Sequence, residues 1–222
     1  MGATQAKAFN LLPQTFLLPS EYVPFVECFT KCKDIEGSKN IWIMKPSASS
    51  RGRGISLVTD YSDISYAEPM IIQKYVKNPL LLDGYKFDLR IYVLVTKIIP
   101  LEVFIYKEGF ARLSTEKYTL DDEQLKNVMV HLTNYSIQKK NCQKEEDLNN
   151  FEKLPDIQNT TGSKLTLKEL ISKLDRMGIN FESIWTQVCQ IVIKTLYAAQ
   201  NDFKALPNSF ELFGYDILID SD

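Results

Sequence analysis

Histidine and cysteine are scarce in this sequence of 222 residues, which contains one histidine and four cysteines. The cysteines Cys28, Cys32, Cys142 and Cys189 do not show the spacing of zinc or iron–sulfur ligands, and His131 is not placed to complete such a set. A centre built from cysteine and histidine is therefore excluded. We expect the four thiols to stay reduced, as in a cytosolic protein.

The sequence also lacks an excess of charge, since 26 Lys and Arg residues nearly balance 28 Asp and Glu residues and the formal net charge is −2. That balance excludes a disordered acidic tail and a general coat for nucleic acid. No apolar run reaches about 18 residues, so no transmembrane helix is expected. The first residues show neither a secretion signal nor the Ser or Thr at position 6 that favours myristoylation. We expect a soluble protein with no nucleic acid and no membrane among its partners.

The composition is that of a globular protein, 45% hydrophobic with nine Gly and nine Pro, and its length favours one large domain or two small intertwined ones. Apolar runs predict strands at 41–45, 55–58, 70–76, 86–97, 101–106, 110–114 and 210–219. Helical periodicity and capping residues predict helices at 167–177 and 181–199, and a short one within 10–26 that Ser20 caps. The polar segment 139–163 predicts a loop, and the whole order indicates a mixed α+β fold.

The run 86–97 carries the most informative pattern, because apolar residues alternate along it on both faces and predict a central strand covered on both sides. The same alternation places Lys86, Asp88 and Arg90 together on one side. One interpretation is an internal Asp88–Arg90 ion pair beside an exposed lysine. The other is a nucleotide pocket in which Lys86 and Arg90 hold phosphates and Asp88 orients them.

A polar loop follows the predicted strand 41–45, and it suits the binding of phosphate. Lys45 ends that strand, and the loop then contains serines and the segment Arg51-Gly52-Arg53-Gly54. Glycines permit close approach of the backbone, and guanidinium groups bind phosphate oxygens in a planar fork. The loop lacks the Lys-Ser/Thr ending of a P-loop, so a solvated hairpin tip is the alternative.

Three further polar positions, His131, Arg112 and Asp216, carry two interpretations each. His131 is either a structural histidine or a catalyst, and Thr133 and Asn134 after it would suit a metal–phosphate cluster. Arg112 is either a site residue or a surface charge. Asp216 lies inside an apolar run, where a carboxylate is either paired or a metal ligand.

Taken together and in this order, the segments resemble the tubulin tyrosine ligase-like family of ATP-dependent amino-acid ligases. The resemblance covers about residue 10 to the last residue and rests on 13–16, 42–46, 50–55, 73–76, 78–81, 86–90, 109–112, 131–134, 162–164 and 210–220. It implies an ATP-grasp-like α+β fold with antiparallel sheets and inserted helices. Residues 1–222 would be a partial domain truncated at both ends, with a central lobe and adenine hinge at 10–76 and a C-terminal lobe at 77–222.

The resemblance also implies roles for residues at matching positions. Arg90 would stabilise the transferring phosphoryl group as the catalytic residue, and Asp216 would be a magnesium ligand. The residues implied to bind ATP are Lys45, Arg51, Gly52, Gln73, Lys74, Tyr75, Val76, Lys86, Phe87, Asp88, Thr133 and Asn134. The residues implied to hold the incoming amino acid are Arg112, Tyr135, Ser136 and Lys164.

The implied reaction uses ATP and Mg²⁺ to add free glutamate to glutamate side chains of tubulin C-terminal tails through an acyl phosphate, and the polyglutamylase branch of the family fits best. In the family a Glu and an Asn that complete the metal site follow the last strand, and the sequence ends at Asp222 before them. An inactive nucleotide-binding or microtubule-associated remnant is therefore an alternative. A tubulin glycine ligase is a further one, against which Arg112 and Lys164 argue. The implied location is the cytoplasm and cytoskeleton, with the cilium or basal body as a further candidate.

Overall fold

Two antiparallel sheets and their covering helices form the fold in the computed structural model, which describes residues 9, 11–48, 53–64, 68–142, 164–204 and 208–221. The strands are β1 Thr15–Leu18, β2 Trp42–Pro46, β3 Ser56–Val58, β4 Met70–Lys74, β5 Leu81–Leu82, β6 Tyr85–Lys97, β7 Glu102–Ile105, β8 Phe110–Lys117, β9 Lys164–Thr166 and β10 Glu211–Ile217. The helices are α1 Tyr22–Glu36, α2 Val128–His131, α3 Tyr135–Cys142, α4 Leu167–Arg176 and α5 Phe181–Ala199.

The smaller sheet has the strand order β1-β4-β2-β3, with every pair antiparallel. Helix α1 covers one of its faces because Phe25 and Phe29 on the helix pack against the fully buried Trp42 of β2. The rings of Phe25 and Trp42 meet edge to face with their centroids 5.3 Å apart, a favourable aromatic geometry. The predicted hairpin of 41–45 and 55–58 is confirmed as β2 and β3.

The larger sheet has the strand order β10-β6-β8-β9, and β5 and β7 also pair with the 13-residue strand β6. One face of β6 lies in the core, where Leu89, Ile91 and Val93 are fully buried against α4 and α5. The other face is half-buried and carries Asp88 and Arg90. The prediction that β6 is covered on both sides is therefore wrong for this second face, which leaves room for a site.

The two long C-terminal helices follow their sequence signals closely. The Thr166 hydroxyl accepts a hydrogen bond from the Glu169 backbone and the Glu169 carboxylate accepts one from the Thr166 backbone, so the predicted capping box is confirmed. Gly178, with φ +76°, follows the end of α4. Helix α5 has the predicted bounds, and the Asn180 side chain caps it.

The N-terminal helix begins differently from the prediction. The Ser20 hydroxyl donates to the Leu17 carbonyl at 3.0 Å, so it does not cap the helix, and α1 begins at Tyr22. The Glu21 carboxylate accepts a hydrogen bond from the Leu17 backbone at 2.6 Å. The preceding residues form strand β1 rather than a loop because β4 supplies hydrogen-bonding partners for them.

Other parts of the chain extend or limit the predictions. Within the predicted loop 139–163, residues 139–142 belong to α3, and 143–163 lie outside the described residues. Strand β9 and the short helix α2 were not predicted. Cys28, Cys32 and Cys189 are free thiols as expected, and the side chain of Cys142 lies outside the described part. In the described ranges no helix combines the length and apolar character needed to cross a membrane.

Two glycines border the half-buried face of β6 and differ in what surrounds them. A methyl group added at Gly109 would collide with the Arg90 carbonyl oxygen, which belongs to the backbone of β6. A methyl group at Gly214 would lie 3.3 Å from Cδ of the Arg90 side chain, which can move. Glycine at position 109 therefore permits the close approach of two backbone segments.

We expect Gly109→Ala to lower the free energy of unfolding by about 2–3 kcal/mol, because overpacking against a backbone cannot be relieved by a rotamer change. Gly214→Ala should cost less than about 1 kcal/mol, since the neighbouring guanidinium can shift. Urea unfolding followed by tryptophan fluorescence measures both values. Equal losses in the two variants would contradict this explanation.

Candidate functional site

Strand register gathers charged residues on the half-buried face of the larger sheet. Asp216 of β10 lies opposite Arg90 of β6, and Arg112 of β8 lies opposite Asp88 of β6. Lys164 of β9 lies opposite Arg112 on the other side of β8. Directly opposed residues in antiparallel strands point to the same face. Five predicted site residues from four strands are thus brought together.

Arg112 is the centre of an ion-pair network. Its Nε donates to Asp88 Oδ1 at 2.8 Å, and its Nη2 donates to Asp216 Oδ2 at 2.9 Å. Arg90 Nε donates to Asp216 Oδ1 at 2.6 Å, and the Thr133 hydroxyl donates to Asp88 Oδ2 at 2.9 Å. Burial disfavours the Arg112 cation, yet the two carboxylates outweigh burial and raise its pKa. Arg112 is therefore buried in an ion-pair network and is not a surface charge.

This network decides two of the interpretations drawn from the sequence. Asp88 pairs with Arg112 and Arg90 pairs with Asp216, so the internal Asp88–Arg90 pair is wrong. The lysine of the same motif, Lys86, is buried rather than exposed. Asp216, the mid-strand carboxylate, is a paired residue in this structure, with both oxygens bonded to guanidinium groups.

Two lysines approach the same region without a carboxylate partner. Lys86 Nζ donates to the Tyr75 hydroxyl at 2.8 Å, and Lys45 Nζ donates to Gln73 Oε1 at 3.0 Å. Within the described residues neither lysine forms an ion pair. Burial lowers the pKa of Lys86 to about 7, with Asp88 opposing and Lys45 adding to the effect. Burial also lowers the pKa of Lys45. A buried amine and a half-buried one that lack an anion among the described residues are suited to bind one.

The predicted adenine hinge, 73–76, consists of the last two residues of β4 and the two residues that follow that strand. The Lys74 side chain is anchored toward α1, where Nζ pairs with Glu36 Oε1 at 2.8 Å. The Lys74 backbone N–H donates to the Gln14 carbonyl and the Tyr75 N–H to the Ile41 carbonyl. The side chain and the backbone N–H of Lys74 are therefore already engaged within the fold. Val76 comes next in the chain.

The residues predicted to hold an amino acid lie beside the ion-pair network. Lys164 Nζ lies 4.1 Å from the centroid of the Tyr135 ring and 5.3 Å from that of Phe110. Cation–π contacts hold an ammonium group in place without neutralising its charge. Ser136 follows Tyr135 in the first turn of α3. Phe110 was not predicted, although its position two residues before Arg112 places it on the same face of β8.

The remaining predicted residues divide into three groups. Arg51 and Gly52 lie outside the described residues. The Phe87 side chain packs in the core on the opposite face of β6, so its contribution to a site would come from its backbone. The Asn134 carbonyl accepts hydrogen bonds from the first turn of α3. Thr133, which precedes Asn134, contacts the ion-pair network because its hydroxyl donates to Asp88.

His131 is buried, and both of its ring nitrogens are engaged within the fold, which argues against a role as a catalyst. Its Nδ1 lies 3.1 Å from the Tyr75 hydroxyl and its Nε2 lies 3.0 Å from the Gln124 carbonyl. Burial lowers the pKa of His131 to about 4, so the ring is neutral near pH 7. Tyr118, which sequence reasoning missed, packs its ring against His131 with the centroids 5.9 Å apart.

The described residues do not form a magnesium site of their own. In those ranges no three His, Cys, Asp or Glu side chains come together as a metal cluster. Asp88 and Asp216 have both their oxygens occupied by hydrogen-bond donors of the network. Magnesium prefers six oxygens in octahedral geometry, often shared with phosphates and water.

Replacement of each aspartate of the network by asparagine should affect stability to different extents. Asp88→Asn is expected to lower the free energy of unfolding by about 3 kcal/mol, because it removes the main partner of a buried guanidinium. The Asp216 side chain is 45% exposed, so Asp216→Asn should cost less than about 1 kcal/mol. Chemical denaturation measures both changes. A larger loss in the Asp216 variant would show that Arg112 depends mainly on β10.

The chain matches the tubulin-tyrosine ligase family over residues 1–222. It is 37% identical over 97% of its length to tubulin polyglutamylase TTLL5 of Homo sapiens and 38% identical over 96% to probable tubulin polyglutamylase TTLL2 of Homo sapiens. It is 37% identical over 96% to tubulin polyglutamylase ttll6 of Danio rerio. The chain spans 16%, 34% and 27% of the length of these three relatives. The family match over the whole chain confirms the resemblance drawn from its motifs, and the chain belongs to the tubulin-tyrosine ligase family.

Proposed function

We propose that this chain is the nucleotide-binding part of an ATP-dependent ligase that adds glutamate to glutamate side chains of tubulin C-terminal tails. The observation that carries the proposal is the pair formed by the buried Lys86 and the half-buried Lys45, which have no carboxylate partner among the described residues. Three similar relatives are named as tubulin polyglutamylases, one of them as probable. Their names support glutamate and tubulin as substrates.

The charge of the site supports a polyphosphate ligand. Five basic side chains, Lys45, Lys86, Arg90, Arg112 and Lys164, face two carboxylates, so the cluster has an excess of positive charge. A triphosphate would offset that excess, and desolvated cations bind phosphate oxygens strongly. The two-sheet architecture is compatible with an ATP-grasp fold, in which ATP lies between the sheets and 73–76 lines the adenine.

The residues would divide the chemistry as follows. ATP supplies the phosphoryl group that turns a tail carboxylate into an acyl phosphate, whose phosphate leaves when the amine of glutamate attacks the acyl carbon. Lys45 and Lys86 would hold phosphate oxygens, and Arg90, half-buried at the sheet face, would stabilise the charge on the phosphoryl group in transfer. Lys164 and Arg112 would hold the carboxylates of glutamate.

Magnesium stands apart from these assignments, because Asp216 is already bonded to Arg90 and Arg112. We keep Asp216 as the predicted ligand and assign no reaction step to the metal. The same observation favours a second candidate function, which is nucleotide binding without ligation.

A protein that modifies tubulin is expected at the cytoskeleton, and the cilium is one place where it can be sought.

Nucleotide binding should be coupled to proton uptake. In the free protein the Lys86 amine has a pKa of about 7, so it is mostly neutral at about pH 8. A bound phosphate stabilises the ammonium form, so binding should take up most of one proton and affinity should fall as pH rises from about 7 to 9. Isothermal titration calorimetry in buffers of different ionisation enthalpy measures this number. The uptake should vanish in Lys86→Met, and proton release by the unaltered protein would contradict the assignment.

Glutamate ligation is tested by incorporation of labelled glutamate into purified tubulin with Mg-ATP, using the full-length protein that contains this chain. Lys164→Met should raise the KM for glutamate at least about tenfold and leave ATP affinity unchanged, because it removes a cation that would bind a substrate carboxylate. Lys168→Met, at an exposed position of α4, is the matched control. Preference for labelled glycine would favour glycine ligation, and ATP binding without incorporation would favour the second candidate.

A further inference from the structure

A chain of buried hydrogen bonds joins Lys86 to a backbone carbonyl far from the sheet face. Lys86 Nζ donates to the Tyr75 hydroxyl at 2.8 Å, and this hydroxyl lies 3.1 Å from His131 Nδ1. His131 Nε2 lies 3.0 Å from the carbonyl oxygen of Gln124. The exposed fractions of Lys86, Tyr75 and His131 are 6%, 4% and 2%. The arrangement links three elements of the fold inside the protein.

The carbonyl at the end of this chain fixes the tautomer of His131, while the Tyr118 hydroxyl also lies within hydrogen-bonding reach of the Tyr75 hydroxyl. A carbonyl oxygen only accepts, so His131 Nε2 carries the proton and donates to Gln124. The pKa of His131 is lowered to about 4 by burial, so the ring is neutral and Nδ1 keeps its lone pair. The Tyr75 hydroxyl therefore donates to Nδ1, and the phenolic oxygen presents a lone pair to Lys86.

The other groups around the Lys86 amine restrict it without neutralising it. The amine lies 4.4 Å from the centroid of the Tyr75 ring and 5.9 Å from that of Tyr118. The Tyr118 hydroxyl donates to the Lys77 carbonyl at 2.7 Å. The charged groups that act on Lys86 are Asp88, which Arg112 binds through both oxygens, and Lys45.

This arrangement would help a lysine to bind an anion, because it orders the side chain and leaves its charge available. A free lysine side chain loses considerable rotamer freedom when it is ordered, and a carboxylate partner would order it but cancel its charge. A neutral acceptor and two aromatic rings order the same side chain and leave its positive charge for a ligand.

We propose that Tyr75 and His131 are positioning residues for Lys86. The Gln124 carbonyl sets the His131 tautomer, and the Tyr75 hydroxyl, which donates to His131 Nδ1, presents its oxygen to the Lys86 amine. The proposal rests on the proposed function in that the ligand of Lys86 is a phosphate of ATP. The part of Tyr75 is its phenolic group, separate from any backbone contact with adenine. His131 touches neither the ligand nor the reacting atoms.

Conservative variants can test each link. Tyr75→Phe keeps the ring and removes the hydroxyl. His131→Phe keeps the ring volume and removes both nitrogens, whereas His131→Asn keeps an oxygen acceptor near the position of Nδ1. Tyr197→Phe, at an exposed position of α5, is the matched control. Two quantities are measured in each variant: the pKa of Lys86 by NMR of labelled lysine side chains, assigned with Lys86→Met, and the Kd for ATP by calorimetry at about pH 7 and 9.

Tyr75→Phe and His131→Phe are expected to lower the pKa of Lys86 and to weaken ATP binding about tenfold near pH 7, with a larger loss near pH 9. His131→Asn should recover most of the affinity, and Tyr197→Phe should change neither quantity. Folded Tyr75→Phe with an unchanged Lys86 pKa and unchanged ATP affinity would overturn the inference. If His131→Phe does not fold, Tyr75→Phe and His131→Asn decide the question.

The two proposals can fail separately. A wild-type protein that does not bind ATP contradicts the proposed function, and the Lys86 pKa in Tyr75→Phe still tests whether the hydroxyl controls the amine. A loss of stability and affinity that is equal at both pH values, with the Lys86 pKa unchanged, would show a merely structural role for Tyr75 and His131 and would also overturn the inference.

Discussion

The contact of Arg112 with Asp88 and Asp216 is the interaction on which the site depends. One guanidinium group on β8 binds carboxylates on β6 and β10, and it thereby joins side chains from three strands on one face of the sheet. Removal of Asp88, the less exposed of its two partners, would leave a buried charge that burial penalises. Arg90 and Thr133 are held at the edges of the same network, so their positions depend on it as well.

Compensation of charge is uneven across this face, and the unevenness supports the place proposed for the ligand. Arg90 and Arg112 are matched by carboxylates, but within the described ranges Lys45 and Lys86 have only neutral acceptors. In a structural network each buried cation would be expected to have an anion beside it. The two sides of the site therefore differ, with a rigid paired half formed by the larger sheet and an unpaired half where the smaller sheet approaches it.

Patterns of short range predicted the fold well. The alternation in 86–97 defined β6, and the capping box of α4 and the apolar stripe of α5 gave those helices nearly their observed bounds. Partners distant in the sequence were not predictable, because register determines them. Asp88 meets Arg112 through the pairing of β6 with β8, and Lys74 meets Glu36 through the packing of α1 on the smaller sheet. The sequence pattern placed Ser20 as a cap, and the turn at Leu17 used its hydroxyl instead.

The two faces of β6 have a consequence for how the protein can misfold. Successive residues of the strand alternate between the apolar core and the charged face, so Arg90 lies between the buried Leu89 and Ile91. A pairing error of one residue would bury Arg90 and expose its neighbours, and the core and the site would be lost in the same event. A chain that displays the charged cluster has therefore already formed its core. The charged cluster is therefore assembled only in molecules in which β6 has paired in the correct register.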